Sequence, residues 1–240
     1  PEATQQVGLT TTSKITQTVG TQPSSDQSTP DVTLPLTARY NGSTGDATRT
    51  VELTVGTPSS PDTNLSSALD KASGSTNTLA VNPAGAVSTL TLRPPTALSD
   101  AGRSAVEQAL RQAVQFAPVF PTTPVGVGAV WSVSQQINSI GLGLRQDTVF
   151  TMTALHEATI TLGVQVSQTP LTPTWTLPND QGTLNIDTYR MRGEGTLTVD
   201  LTKPLPIGGR VQLGGDQLYG QPQNGIKLAQ TVSNGVSWTS

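Results

Sequence analysis

The sequence predicts a mainly β (α+β) protein. The expected architecture is a long curved antiparallel sheet, a half-barrel of about ten strands, with one central helix on one face and room there for a second short helix. Three observations predict it. Apolar and polar residues alternate in many short runs, the period of a half-buried strand. Threonine occurs 39 times, and its branched Cβ suits a pleated surface. Only one long stretch, residues 99–117, is free of proline and places apolar residues at helical spacing.

The elements follow in order. Residues 7–19 form a first strand with sparse apolar members, Val7, Leu9, Ile15 and Val19. Residues 20–30 are a polar loop. In residues 31–40, Val32, Leu34, Leu36, Ala38 and Tyr40 share one face, and Pro35 inside that run suggests an edge strand or a bulge. Asn41-Gly42 signals a turn before the strand of Val51, Leu53 and Val55. Asp62 can cap a short helix with Leu65, Ala68 and Leu69 on its apolar stripe. Residues 78–82 and 86–93 read as a hairpin around Asn82-Pro83-Ala84-Gly85.

The central helix, 99–117, has Ser99 or Asp100 as its cap and stops at Pro118 and Pro121. Its outer face is expected to carry Arg103, Glu107, Gln108, Arg111 and Gln112, with Glu107 and Arg111 at i,i+4. Its inner face carries Val106, Leu110, Ala113, Val114 and Ala117. Further strands follow at Trp131–Ile137, Val149–Ala154 and 158–166, the last alternating most cleanly. A Pro-bearing loop then carries Trp175. Leu184 and Ile186 open another strand, Gly193 and Gly195 mark a bend or bulge, and Leu197, Val199 and Leu201 continue it. Pro204 and Pro206 interrupt, Gly214-Gly215 reads as a turn, and Ile226 to Val232 is the last long strand. No fixed-period repeat is visible, which argues against a propeller or solenoid; at this length a single β-rich domain, 1–240, is expected.

Composition narrows the function classes. Hydrophobic residues are 34%, aromatic residues 4% and charged residues 12%, with a net charge of −3. The low net charge and patterned apolar residues argue for a folded chain. Scattered Arg and Lys argue against nucleic acid as a partner. There is no Cys, hence no disulfide and no thiolate chemistry. The Thr-, Pro- and Gly-rich, Lys-poor composition is that of exported proteins, so a secreted or periplasmic, cell-envelope location is expected. Pro1 stands where an initiator Met would. A mature domain is therefore expected, with peripheral membrane association through an N-terminal anchor outside this sequence.

Catalytic signals are weak. His156 is the single His, so neither a paired-His metal site nor a second triad base can form. No Gly-x-Ser-x-Gly elbow exists. Asp187, Glu194, Asp200 and Asp216 are the carboxylates a hydrolase would use, yet the bland reading of each is a solvated strand or turn residue. Gly126-Val127-Gly128 and Gly141-Leu142-Gly143 lack the Lys-Ser/Thr of a phosphate loop. Trp131, Trp175 and Trp238 read as core or rim anchors. No catalytic residue, metal or cofactor is expected.

The order of parts resembles an uncharacterised family of exported actinobacterial proteins and lipoproteins. The residues carrying the resemblance are the Thr-rich opening Leu9-Thr-Thr-Thr-Ser-Lys-Ile-Thr-Gln-Thr18, a central helix ending in Pro, Pro124-Val-Gly-Val-Gly-Ala-Val-Trp131, and Gly193-Glu-Gly-Thr-Leu-Thr-Val-Asp-Leu201. The architecture is similar to the half-barrel lipoprotein carriers of the LolA and LppX/LprG type. That resemblance implies an apolar cavity for acyl chains between sheet and helix, and a lipid or other hydrophobic ligand as partner.

Physics adds a reason for such a hollow. Ala105, Ala109 and Ala113 fill little space, and a hollow lined by Leu, Ile and Val accepts apolar ligands. The candidate ligand-binding residues are Val106, Leu110, Ala113, Val114 and Phe116 on the helix. Phe150, Met152, Ile160, Leu162 and Val164 are the candidates on the sheet. The alternative is a structural or protein-interaction module with an envelope protein partner.

Overall fold

Alternation governs most of the chain, and the alternating runs pair into one antiparallel sheet of 13 strands. The computed structural model describes residues 4–43, 48–177, 182–223 and 225–240. In chain order the elements are β1 (Gln5–Val19), β2 (Ser25–Asp26), β3 (Thr29–Ser43), β4 (Arg49–Val55), α1 (Thr63–Leu69), β5 (Thr76–Val81) and β6 (Val87–Thr91). Then come α2 (Asp100–Gln115), β7 (Val130–Ser139), β8 (Leu142–His156), β9 (Thr159–Pro170), β10 (Thr174–Thr176), β11 (Thr183–Asp200), β12 (Gly208–Gly220) and β13 (Lys227–Thr239). The sheet order is β6-β5-β4-β3-β1-β13-β12-β11-β9-β8-β7, with β2 and β10 attached to β1 and β11.

This order has a simple logic. The chain starts in the middle of the sheet and steps outward to the edge strand β6. α2 then carries it across to the opposite edge, β7. From there the chain steps back inward until β13 pairs with β1, joining Gly8–Val19 to Leu228–Thr239. The sheet is open and curved, as expected for a half-barrel, and its inner face carries most of the core. Along β1 the buried residues are Gln5, Val7, Leu9, Thr11 and Ser13, every second position. Apolar members of that face recur in register across the sheet, as in Phe150↔Val164 and Leu162↔Leu197.

The expected hairpin is present: Leu79 pairs with Leu90 and Val81 with Val87. Both helices begin as their caps predict. Asp62 Oδ1 accepts from the Leu65 N–H at 2.8 Å, and Ser99 Oγ accepts from the Gly102 N–H at 3.2 Å. The short helix packs on the N-terminal end of α2.

Four local expectations are corrected. Pro35 does not mark an edge, because β3 lies between β1 and β4. Residues at its parity face the β4 side: Thr33 exchanges bonds with Ser59, and the Pro35 carbonyl accepts from Gly56 N–H at 2.7 Å. The β4 ladder has already ended there, since Leu36↔Val55 is its last pair. The missing N–H therefore breaks no ladder bond. Gly214-Gly215 is not a turn, because β12 runs straight through it. A Cβ at Gly215 would lie 1.7 Å from the Arg190 carbonyl, so the glycine allows close approach of neighbouring backbone. Gly193 and Gly195 likewise sit in regular register, and the irregularity in β11 falls between Ile186 and Thr188. A Cβ at those glycines would lie 2.4 Å and 2.1 Å from the carbonyls of Gln212 and Arg210. β3 runs through Asn41 and Gly42 to Ser43. The rest of the link to β4, residues 44–47, lies outside the described residues, as does Pro178.

Candidate functional site

Helix α2 lies across the inner face and is held there by polar side chains as well as apolar ones. Gln112 donates to the carbonyls of Thr12 and Gly235 at 3.3 Å and 3.1 Å, which straddle the central β1–β13 seam. Gln115 donates to Gln146 Oε1 at 2.7 Å, and Gln146 donates back to the Gln115 carbonyl at 3.0 Å. Gln168 donates to the same Gln146 oxygen at 2.9 Å, and the Tyr189 hydroxyl donates to Gln168 at 3.3 Å. Gln146 is fully buried and bonded through both amide atoms, so its burial carries little penalty.

On the opposite flank, between α2 and β3–β6, the structure leaves a cavity of about 530 Å³. Its floor is the inner face of four strands: Leu36 and Tyr40, Arg49 and Leu53, Leu79 and Val81, and Val87. Its roof is Leu110, Ala113 and Val114 of α2, continued by Ala117, Pro118 and Phe120. Its far wall is Val199, Leu201, Trp238 and the loop Lys203-Pro-Leu-Pro206. Two hydrogen-bond clamps hold these walls. Gln5 donates to the Leu205 carbonyl and accepts from the Leu205 N–H, each at 2.9 Å. Phe120 N–H donates to the Ala84 carbonyl at 2.7 Å, pinning the segment after α2 onto the β5–β6 turn.

The volume lies within the roughly 300–1,000 Å³ range of small-molecule sites. Methylene and water fill comparable volumes, about 30 Å³ each in a liquid. The cavity therefore holds on the order of 15–20 methylene groups.

Of the residues expected to bind ligand, Leu110, Ala113 and Val114 line this cavity. Val106 of α2 and Phe116 immediately after it are buried in the apolar core and lie outside the cavity lining. The same holds for Phe150, Met152, Ile160, Leu162 and Val164 of β8 and β9. Phe150 stacks on Trp131 at 5.7 Å between ring centroids, and Trp131 meets Phe120 at 6.2 Å. This aromatic cluster fills space beneath β7 and β8. Sequence reasoning passed over Tyr40, Arg49, Leu53, Leu79, Lys203, Leu205 and Trp238. The alternation of β3 and β4 identified an inner face, but no local signal says which half of a sheet a crossing helix will cover.

The carboxylates are dispersed, and none lines the cavity. Asp187 accepts from Lys227 Nζ at 2.6 Å, Asp216 accepts from the Thr231 hydroxyl, and Glu194 is exposed. The hydroxyl and backbone N–H of Thr202 hold the Asp200 carboxyl below its ordinary value. His156 is exposed at the end of β8. Among the described residues no group of three His, Cys, Asp or Glu is placed to hold a metal ion. Burial pushes the Tyr219 hydroxyl up to about 12 and raises that of Tyr189 further. Both phenols therefore stay neutral hydrogen-bond donors at ordinary pH.

No protein-family model matches the chain, and no curated protein is similar to it in sequence.

Proposed function

We propose that the protein is a non-catalytic cell-envelope carrier or sensor that binds a lipid or other hydrophobic ligand between α2 and β3–β6. The observation that carries this reading is the 530 Å³ hollow lined mainly by Leu, Val, Pro and aromatic side chains. Pockets of this size with mostly apolar linings admit apolar ligands. Each methylene transferred from water contributes about 0.8 kcal/mol. The resemblance to half-barrel carriers and the export-like composition belong to the same reading.

Native mass spectrometry of protein purified without detergent tests it. Copurifying lipid, or stoichiometric uptake of added lipid, is expected. A protein that stays unliganded after incubation with a panel of single-chain lipids would sink the proposal.

A second reading, a protein-interaction module, draws on one observation. Val127 and Val130 are 62% and 63% exposed beside the edge strand β7. Unpaired edges are ready surfaces for strand addition. Cross-linking that recovers a single envelope partner through β7, with no lipid bound, would favour it over the first.

A further inference from the structure

The cavity lining is mostly apolar but not uniform. Two of its residues are cationic, Arg49 and Lys203, and none is acidic. They come from distant parts of the chain, the start of β4 and the loop between β11 and β12. Tyr40 joins them. The Arg49 guanidinium lies 5.3 Å from the centre of the Tyr40 ring, and the Tyr40 hydroxyl donates to the Lys203 carbonyl at 3.4 Å.

Arg49 is exposed and Lys203 half-buried, and neither forms a salt bridge among the described residues. The nearest acid to Lys203 in sequence, Asp200, attracts it through space without forming a salt bridge; its carboxylate accepts from Thr202 and is outside the cavity lining. By contrast, Arg39 on the adjoining strand is paired with Glu52. The Tyr40 ring holds the Arg49 guanidinium at the edge of the hollow without neutralising its charge, so it remains free to attract an anion. Guanidinium also matches carboxylate and phosphate oxygens through paired N–H donors.

Resting on the cavity reading above, we infer that the site selects a single-chain amphiphile with an anionic headgroup. Its chain lies beneath α2 against Leu36, Leu53 and Leu110, and its carboxylate or phosphate is held by Arg49 and Lys203. The capacity of one chain of on the order of 15–20 carbons and the two cations at the lining together define this ligand class.

The test is displacement of the neutral fluorophore N-phenyl-1-naphthylamine from the full chain. Three ligands sharing a palmitoyl chain are compared: palmitate, palmitoyl lysophosphatidic acid and monopalmitoylglycerol. At least one of the two anions is expected to bind about tenfold or more tighter than the neutral glyceride, with the preference shrinking as salt rises. Palmitate against the lysophosphatidic acid identifies the headgroup. Arg49→Gln with Lys203→Gln should abolish the preference while glyceride binding persists. Arg49→Lys keeps the charge and should retain most of it, which separates charge from loss of the Tyr40 contact. Equal binding of all three lipids would overturn the headgroup assignment and leave the cavity reading intact. No displacement by any of them would overturn both.

Discussion

Alanine at position 113 sets the clearance beneath the helix. Ala113 lines the cavity roof and is only 7% exposed, so a larger side chain there has the hollow to grow into. Ala113→Phe is expected to fill the cavity and weaken lipid binding at least about tenfold, or about 1.4 kcal/mol. Its melting temperature should stay near that of the parent, because the ring enters existing space. Fluorophore displacement with parallel thermal melts checks both halves. Tyr219 makes a second residue-scale case. Its buried hydroxyl donates to Gln217 Oε1 at 2.7 Å, so Tyr219→Phe strands a buried acceptor and should cost about 1–3 kcal/mol near neutral pH. The hydroxyl is raised in the folded state to about 12, above the ~10 of an unfolded tyrosine. The unfolded chain therefore loses that proton first. The contribution is complete below about pH 10 and is lost as pH rises toward 12. Urea midpoints across that window should fall more steeply in the parent than in Tyr219→Phe.

Among the elements, α2 shows where local preference and packing disagree. Helix propensity alone says that Gly102→Ala stabilises α2 by up to about 1 kcal/mol. The packing says the opposite, because a Cβ at Gly102 would lie 2.2 Å from the Ala68 carbonyl and 2.8 Å from a Leu98 methyl. Backbone of the neighbouring helix cannot yield as a flexible side chain would. Gly102→Ala is expected to destabilise by about 1–3 kcal/mol through overcrowding, which chemical denaturation will measure. The helix was legible beforehand because cap, stripe and stop agree at residues 99–118. Its tilt across the sheet was not legible. That depends on Gln112 reaching the β1–β13 seam and Gln115 reaching Gln146. Polar residues on a helix read as solvent-facing by default, yet here they anchor the buried flank.

For the whole molecule, the decisive feature is that both ends of the described chain meet at the centre of the sheet. β13 joins β1 to β12, so without it the sheet is cut in two, and only α2 with its flanking segments and a few side-chain contacts such as Gln5–Leu205 and Tyr40–Lys203 link the halves. Deleting residues 227–240 is expected to remove cooperative thermal unfolding altogether, as followed by circular dichroism. Survival of a sharp transition would contradict this account. The same long-range pairing, Leu9 with Trp238 for example, predicts slow refolding, because distant segments must meet before the contact stabilises either.

Strand periodicity, helix caps and hairpin signals are local properties, and local residues dictated them: a mainly β chain with one long helix and one short one was readable from the amino acids. Glycine and proline depart from this local control, because Pro35 and Gly215 obey constraints set by a neighbouring strand, not by their own segment. The cavity lies further still from local control. Leu110, Ala113 and Val114 announce an apolar roof, but whether that roof faces β8–β9 or β3–β6 depends on the helix crossing the whole sheet to connect its two edges. Arg49, Lys203 and Trp238 come within reach of one hollow only because three distant segments fold together there. No pattern within a single segment records such a meeting, and the tertiary structure alone decided it.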